Sequence, residues 1–149
     1  MSNIKEILRK YKSIAMIGVS NDPTKASTIV MKYMQKYGFK VYPVNPSAKG
    51  KKILGEEVFA KLTEIKKPVD IVDVFRPSKE ALDIAKDTVK IGAKVLWLQL
   101  GIKSDAARSI VEAENIEYIE NKCTKRVFFV CGAAGPFRAA AGGHPTVFF

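Results

Sequence analysis

A loop between a predicted strand and a predicted helix carries the residue types that bind phosphate. The apolar segment 14–19 has the length of a strand and contains Gly18 near its end. The polar residues Ser20, Lys25 and Ser27 follow it. Glycine lets the backbone approach a ligand, hydroxyl groups donate hydrogen bonds, and a helix N-terminus favours anions. We therefore expect an anion site for a phosphate-bearing nucleotide. The alternative is that Ser20 makes only a local turn bond and that Lys25 is solvated.

The loop after the second predicted strand lacks the acidic residue that binds the ribose in NAD enzymes. From Asn45 onward the first acidic residue is Glu56, and Lys49, Lys51 and Lys52 come before it. Cations in place of a carboxylate indicate a ribose that carries a phosphate. NADP and coenzyme A both have one, so both remain open at this point.

Few residues have the spacing of catalytic groups. The sequence has no HExxH, no GxxxxGK[ST], no cysteine cluster and no paired Ser, His and Asp. We expect Asp73, inside an apolar strand, to meet a backbone group or Arg76 rather than to act as an acid or base. Arg76, directly after that strand, lies where a ligand is expected. The single histidine, His144, is assigned no chemistry.

The pattern of apolar residues predicts an α/β fold. Strands are predicted over residues 14–19, 39–44, 69–75, 95–98 and 117–120. Helices are predicted over 3–11, 80–91 and 106–114, with Ser78 and Ser104 as N-caps of the last two. A further helix is predicted from an apolar stripe at helical spacing, formed by Ile29, Val30, Tyr33, Met34 and Tyr37. A short helix or turn is predicted within 58–65. Short connections between alternating strands and helices predict a three-layer α/β/α Rossmann-like fold with a doubly wound, mainly parallel five-stranded sheet.

The chain has 149 residues, 47% of them hydrophobic, and a formal charge of +10. We expect one domain over residues 1–126 and an atypical Gly/Ala-rich C-terminal tail over 127–149, which could wrap back, mediate dimer contact or be disordered. The N-terminus lacks the apolar stretch of a signal peptide, so we expect a cytoplasmic protein that spans no membrane. Basic residues are spread along the chain, and we expect no nucleic-acid face. Cys123 and Cys131 fit no metal site.

Four segments in order resemble the small stand-alone CoA-binding domain proteins, which are similar to the N-terminal domain of the succinyl-CoA synthetase alpha subunit. These segments are IGVS at 17–20, PVNP at 43–46, DVFRPS at 73–78 and WLQLGI at 97–102. The resemblance covers about residues 14–126. It implies a Rossmann-like fold that binds coenzyme A or an acyl-CoA, with no established reaction of its own. The rival interpretation is an NADP-dependent oxidoreductase-like protein.

The resemblance also implies a role for each matching residue. Residues Gly18, Val19, Ser20, Lys25 and Ser27 would face the diphosphate. The adenosine and its 3′-phosphate would be held by Pro43, Val44, Asn45, Pro46, Lys49 and Lys52, beside an edge formed by Phe75, Arg76 and Pro77. The pantetheine arm would lie beside Gln99, Leu100 and Gly101.

Asn121-Lys122-Cys123 resembles the Asp-Arg-Cys stretch of the same family, with the first two residues changed. One hypothesis is that Cys123 forms a mixed disulfide with coenzyme A, which would make the protein a carrier or redox sensor. The alternative is a half-buried structural thiol. We expect a protein without catalytic residues or a metal, which could form a homodimer.

Overall fold

The computed structural model describes residues 4–130 of the chain. In chain order its elements are α1 (Ile4–Lys10), β1 (Ser13–Ile17), α2 (Ala26–Lys36), β2 (Lys40–Val44), β3 (Lys52–Ile53), β4 (Glu56–Glu57), β5 (Ile71–Val74), α3 (Ala81–Lys90), β6 (Val95–Leu98), α4 (Asp105–Glu112), β7 (Glu117–Ile119) and α5 (Thr124–Val130). Short 3-10 turns cover Pro46–Ala48, Leu62–Glu64 and Ser78–Glu80.

Five strands form one parallel sheet in the order β2-β1-β5-β6-β7. The three central strands have no exposed residue, and a parallel sheet covered by helices requires such burial. The predicted doubly wound Rossmann-like fold is confirmed.

Alternate residues of each strand face opposite helical layers. Met16 of β1 packs in a core with α1, α2 and α5, whereas its neighbour Ala15 packs in a core with α3 and α4. The chain therefore turns to one face after β1 and to the other face after β5. Because β1 and β5 are neighbours, the winding reverses between them, and ligands of such sheets bind at this position.

One predicted helix cap was wrong. Ser78 does not cap α3: its Oγ accepts a hydrogen bond from the backbone N–H of Lys103, and α3 begins after a 3-10 turn instead. The predicted stripe of α2 is not buried along its whole length, since Ile29 is 44% exposed whereas Val30 and Met34 are buried. Ser104 does cap α4, with its Oγ accepting from the backbone N–H of Ala107.

Two features extend beyond the sequence prediction. Directly after the basic loop, a hairpin of β3 and β4 begins at Lys52 and turns through Leu54 and Gly55 at positive φ. Helix α5 continues across the boundary expected at residue 126, and its Phe128 is fully buried against Tyr37 and Phe39. The rest of the expected tail, residues 131–149, lies outside the described residues, as do Cys131 and His144. Within residues 4–130 no helix is long and apolar enough to cross a membrane.

Candidate functional site

The loops after β1, β2 and β5 meet at the carboxyl edge of the sheet. The backbone N–H of Gly18 donates to the carbonyl of Val44 at 2.8 Å, and the N–H of Phe75 donates to that of Ile17 at 2.8 Å. These bonds continue the pairing of the three strands by one residue. They fix the relative positions of the predicted phosphate loop, the Asn45 loop and the Arg76 loop.

Gly18 lies directly under the side chain of Arg76. Its φ is +92°, and a Cβ at this position would stand 2.8 Å from Arg76 Cδ and 3.1 Å from the carbonyl oxygen of Phe75. The Arg76 guanidinium makes a two-point pair with Glu80, through Nε at 3.1 Å and Nη2 at 2.8 Å, and this pair raises the pKa of Arg76. The geometry therefore requires glycine at 18 and holds a half-exposed cation over it.

A cleft of about 340 Å³ opens beside Gly18 and Arg76. Its lining includes Val44, Asn45 and Pro46, which the sequence prediction placed near the adenosine, and also Ser47, which it did not. It also includes Lys61, Glu80 and Asp87, which the sequence prediction missed. The signal for Lys61 is non-local: a parallel bridge between Val44 and Phe59 brings its segment beside β2.

The phosphate loop is closed by its own hydrogen bonds. Ser27 Oγ accepts from the backbone N–H of Ser20 at 3.1 Å, Ser20 Oγ accepts from that of Asp22 at 3.0 Å, and Thr28 Oγ1 donates to the carbonyl of Ser20 at 2.5 Å. The local turn bond considered for Ser20 is thus present. An accepting hydroxyl keeps its proton, so Ser20 and Ser27 can each still donate one hydrogen bond.

The charges at this loop have both signs. Asp22 accepts two hydrogen bonds from Thr24, which lower the pKa of Asp22 and keep it ionised. Lys25 is exposed at the N-cap of α2, which has no side-chain cap. An anion here would gain from Lys25 and from the helix N-terminus, and it would be repelled by Asp22.

Asn45 joins two of the loops. Its Nδ2 donates to the carbonyl of Val19 at 2.9 Å, and its Oδ1 accepts from the backbone N–H and the hydroxyl of Ser47 at 3.0 and 2.7 Å. Val19 and Pro43 are buried and are not among the residues that line the cleft. Asn45 therefore holds the edge of the cleft where NAD enzymes carry a carboxylate.

Lys49 and Lys52 are not among the residues that line the cleft. Lys49 pairs with Glu64 at 3.3 Å, and Lys52 lies exposed in the hairpin opposite Glu57. Glu56 of the same hairpin pairs with Lys40 at the amino end of β2, so the hairpin lies toward the end of that strand that is away from the cleft. Their charge reaches the cleft only as a screened surface field.

A closed polar cluster lies under the end of β6. Asp73 is fully buried, and its Oδ1 and Oδ2 accept from Gln99 Nε2 at 2.5 Å and Thr124 Oγ1 at 2.6 Å. Gln99 Nε2 also contacts Thr124 Oγ1. Burial raises the pKa of Asp73 to about 7, although the two hydrogen bonds act in the opposite direction. The expectation that Asp73 meets Arg76 or a backbone group was wrong, because Arg76 turns to Glu80.

The residues predicted to lie beside a pantetheine arm separate into buried and exposed groups. Gln99 is 4% exposed and its side chain points into the polar cluster, whereas Leu100 is 65% exposed. Gly101 has a φ of +85°, and its N–H donates to Asn121 Oδ1 at 2.7 Å. At this edge a ligand would therefore meet Leu100 and the backbone rather than the Gln99 amide.

A second cavity, of about 310 Å³, lies beyond Leu100 between α2 and α5. Cys123 is half-buried in its wall as a free thiol. The remaining lining residues are Ala26, Ile29, Val30, Leu100, Lys125 and Arg126. Within residues 4–130 no group of His, Cys, Asp and Glu could hold a metal ion.

Comparison with known proteins identifies relatives that match most of the chain. The family described as CoA binding domain matches residues 12–128. The uncharacterized protein YneT of Bacillus subtilis is 36% identical over 124 residues, which are 83% of this chain and 90% of the relative. A solved structure from Thermus thermophilus has a TM-score of 0.83 and 30% identity, over 86% of this chain and 96% of that one.

A more distant relative is a subunit of a larger protein. The alpha subunit of ADP-forming acetate–CoA ligase I of Pyrococcus furiosus is 33% identical over 95 residues. The matched part is 61% of this chain and only 21% of the subunit. The similarity to the ligase is therefore limited to about a fifth of that subunit.

Proposed function

Because this chain belongs to the CoA-binding domain family, we propose that it binds coenzyme A at the carboxyl edge of its sheet and catalyses no reaction itself. The observation that carries the proposal is the site between β1 and β5, where the winding of the chain reverses. There the Arg76 side chain covers Gly18, and Asn45 takes the place of the acidic residue that binds the ribose in NAD enzymes. In this pose the diphosphate lies at the phosphate loop and the adenosine lies in the 340 Å³ cleft. The alternative ligand is NADP.

Charge supports a polyanionic ligand. Coenzyme A carries a diphosphate and a 3′-phosphate, and the chain has a formal charge of +10. Arg76 and Lys61 line the cleft, while Lys25, Lys49 and Lys52 are exposed and do not line it. We propose that Arg76 and Lys61 contact phosphate and that the outer lysines raise the local concentration of the anion.

The buried carboxyl group supports a binding role rather than acid–base catalysis. Asp73 is the fully buried acid of the described part of the chain, and each of its oxygens already accepts a hydrogen bond from Gln99 or Thr124. A general base must reach a proton of the substrate. Asp73 has no such approach in this arrangement, so we assign it to holding α5 against the end of β6.

Calorimetric titration with coenzyme A, dephospho-coenzyme A, NADP and NAD tests the proposal. We expect coenzyme A to bind best, and removal of its 3′-phosphate to weaken binding about tenfold, which is the scale of one charge-assisted hydrogen bond. Tight binding of NADP without binding of coenzyme A would show that the rival ligand is correct.

A glycine pair supplies the matched control for the site. Gly18→Ala introduces a Cβ within 2.8 Å of Arg76 Cδ, whereas Gly92→Ala, also at positive φ, meets no atom within 4 Å. In both variants an alanine must adopt a positive φ, which destabilises the folded state. The two variants therefore differ in the clash with Arg76, which only Gly18→Ala has. We expect only Gly18→Ala to lose affinity for coenzyme A, by at least tenfold. Equal affinities in the two variants would place the ligand elsewhere.

The cavity wall gives a specific reason to test Cys123. An arm that leaves the phosphate loop and passes Leu100 would bring the thiol of coenzyme A to this half-buried cysteine. We propose that the Cys123 thiolate attacks coenzyme A disulfide, forms a protein–S–S–CoA bond and releases one coenzyme A thiol.

Intact mass spectrometry of non-reduced protein after incubation with coenzyme A disulfide measures this reaction. We expect one adduct on the wild-type chain and none on Cys123→Ala, in which Cys131 remains as the internal control. The same adduct yield on both proteins contradicts the role of Cys123.

A further inference from the structure

Two of the exposed apolar side chains lie together beside the proposed ligand site. Within residues 4–130 four large apolar side chains are exposed, namely Ile29, Leu54, Leu100 and Val130. Ile29 and Leu100, at 44% and 65% exposure, come from different elements and line the same 310 Å³ cavity. Apolar surface that converges in a concave site is a feature of ligand pockets, whereas scattered apolar residues need no explanation.

The cavity exists because α5 covers only one end of an apolar stripe on α2. Ala26, Ile29, Val30 and Tyr33 follow one another at helical spacing. At the C-terminal end of the stripe, Tyr33 packs edge-on against Phe128 of α5, with ring centroids 6.2 Å apart. At the N-terminal end, Ala26, Ile29 and Val30 line the cavity instead, together with Leu100.

The N-terminal end of this groove between α2 and α5 is adjacent to the proposed phosphate site. Ala26 is the first residue of α2 and directly follows the phosphate loop, and Leu100 follows β6 at the same edge of the sheet. Strands β1 and β6 are two positions apart in the sheet, which corresponds to roughly 10 Å. The pantetheine arm of coenzyme A is longer than this separation. A thioester at the end of the arm would therefore reach the groove.

The chemistry of the walls selects the occupant. Ala26, Ile29, Val30, Leu100 and Cys123 line the cavity together with Lys125 and Arg126, and the Lys125 ammonium lies 5.2 Å from the centre of the Tyr33 ring. A neutral polar acyl group would lose its hydration against the apolar part of these walls, whereas an alkyl chain would gain from burial.

We infer that the groove between α2 and α5 is an acyl-chain site, so that the preferred ligand is an acyl-CoA with an alkyl chain rather than free coenzyme A. This inference rests on the proposed function of coenzyme A binding. It adds a specificity-determining role for Ile29, which lies outside the residues that hold coenzyme A itself.

The test is the affinity for coenzyme A, acetyl-CoA, butyryl-CoA and hexanoyl-CoA measured by calorimetry on the full chain. For the wild type we expect the affinity to rise about threefold to fourfold with each added methylene. Ile29→Ser should flatten this series and leave the affinity for free coenzyme A unchanged. The control Leu54→Ser changes another exposed apolar residue, at 38% against 44% for Ile29, on the β3–β4 turn away from the groove, and it should keep the wild-type slope.

The possible failures are distinguishable. Binding of coenzyme A with no dependence on chain length would overturn the acyl-chain site and leave the proposed function intact. A flat series is also the result if residues 131–149 or a second copy of the chain fills the groove. An unchanged slope in Ile29→Ser would likewise overturn the inference. If neither coenzyme A nor any acyl-CoA binds, the proposed function is wrong and the acyl-chain site is excluded with it.

Discussion

Replacing Asp73 by asparagine should remove a dependence of stability on pH that the wild-type chain shows between pH 4 and 7. Asparagine keeps the size of the side chain and can still accept the hydrogen bond from Gln99 Nε2, but it cannot ionise. Its amide N–H₂ meets Thr124 Oγ1, which donates to Asp73 in the wild type, so we expect a cost of about 1 kcal/mol at pH 5.

The sign of the effect follows from where the proton is bound. In the folded chain burial raises the pKa of Asp73 to about 7, whereas an ordinary aspartate has a pKa of 3.8. Between these values the folded state holds a proton that the unfolded state has released, so the stability falls as the pH rises. The contribution is fully present below pH 4 and is lost as the pH passes 7. From pH 5 to pH 8.5 the loss is about 2–3 kcal/mol.

Urea unfolding at pH 5, 6, 7 and 8.5 measures this loss. Trp97, the single tryptophan, is fully buried and donates from Nε1 to the carbonyl of Lys122 at 2.8 Å, so its fluorescence reports on the same region. We expect the free energy of unfolding of Asp73→Asn, relative to wild type, to rise by about 2–3 kcal/mol from pH 5 to pH 8.5. Asp83→Asn, at an exposed position of α3, is the control and should keep the wild-type pH profile. A constant difference between wild type and Asp73→Asn across this range would refute the reasoning.

Three further changes separate stability from binding. Arg76→Ala should cost less than about 1 kcal/mol in urea unfolding, because its ion pair is exposed, yet weaken coenzyme A binding about tenfold in calorimetry. Asn45→Ala removes the 2.9 Å bond to Val19 and should lower both the unfolding free energy, by about 1–2 kcal/mol, and the affinity. Tyr118→Phe leaves the N–H of Ser104 without its partner and should cost about 1–3 kcal/mol. Burial raises the pKa of Tyr118 to about 12, so the folded chain keeps a proton that the unfolded chain releases near pH 10. The stability of the wild type, but not that of Tyr118→Phe, should therefore fall as the pH rises above 10. Equal pH profiles of the two proteins above pH 10 would contradict this last expectation.

The sequence by itself determined the fold through local patterns. The apolar strand at 95–98 and the Ser104 cap of α4 were predicted at the positions where the structure has them. Burial on both faces makes each central strand uniformly apolar, and helices repeat their apolar residues every three or four positions. Each of these signals comes from residues that are close together along the chain. They predicted a parallel sheet, and with it the edge at which Gly18 and Arg76 lie.

Only the tertiary structure decided which side chains are partners. Arg76 pairs with Glu80 rather than Asp73, and Asp73 meets Gln99 and Thr124, which are 26 and 51 residues away. Such partners depend on the order of the strands and on the direction in which each loop leaves the sheet. No local pattern contains that information. The same reason applies to the exposure of Ile29: the period of α2 shows which residues share a face, whereas the short α5 decides how much of that face is covered.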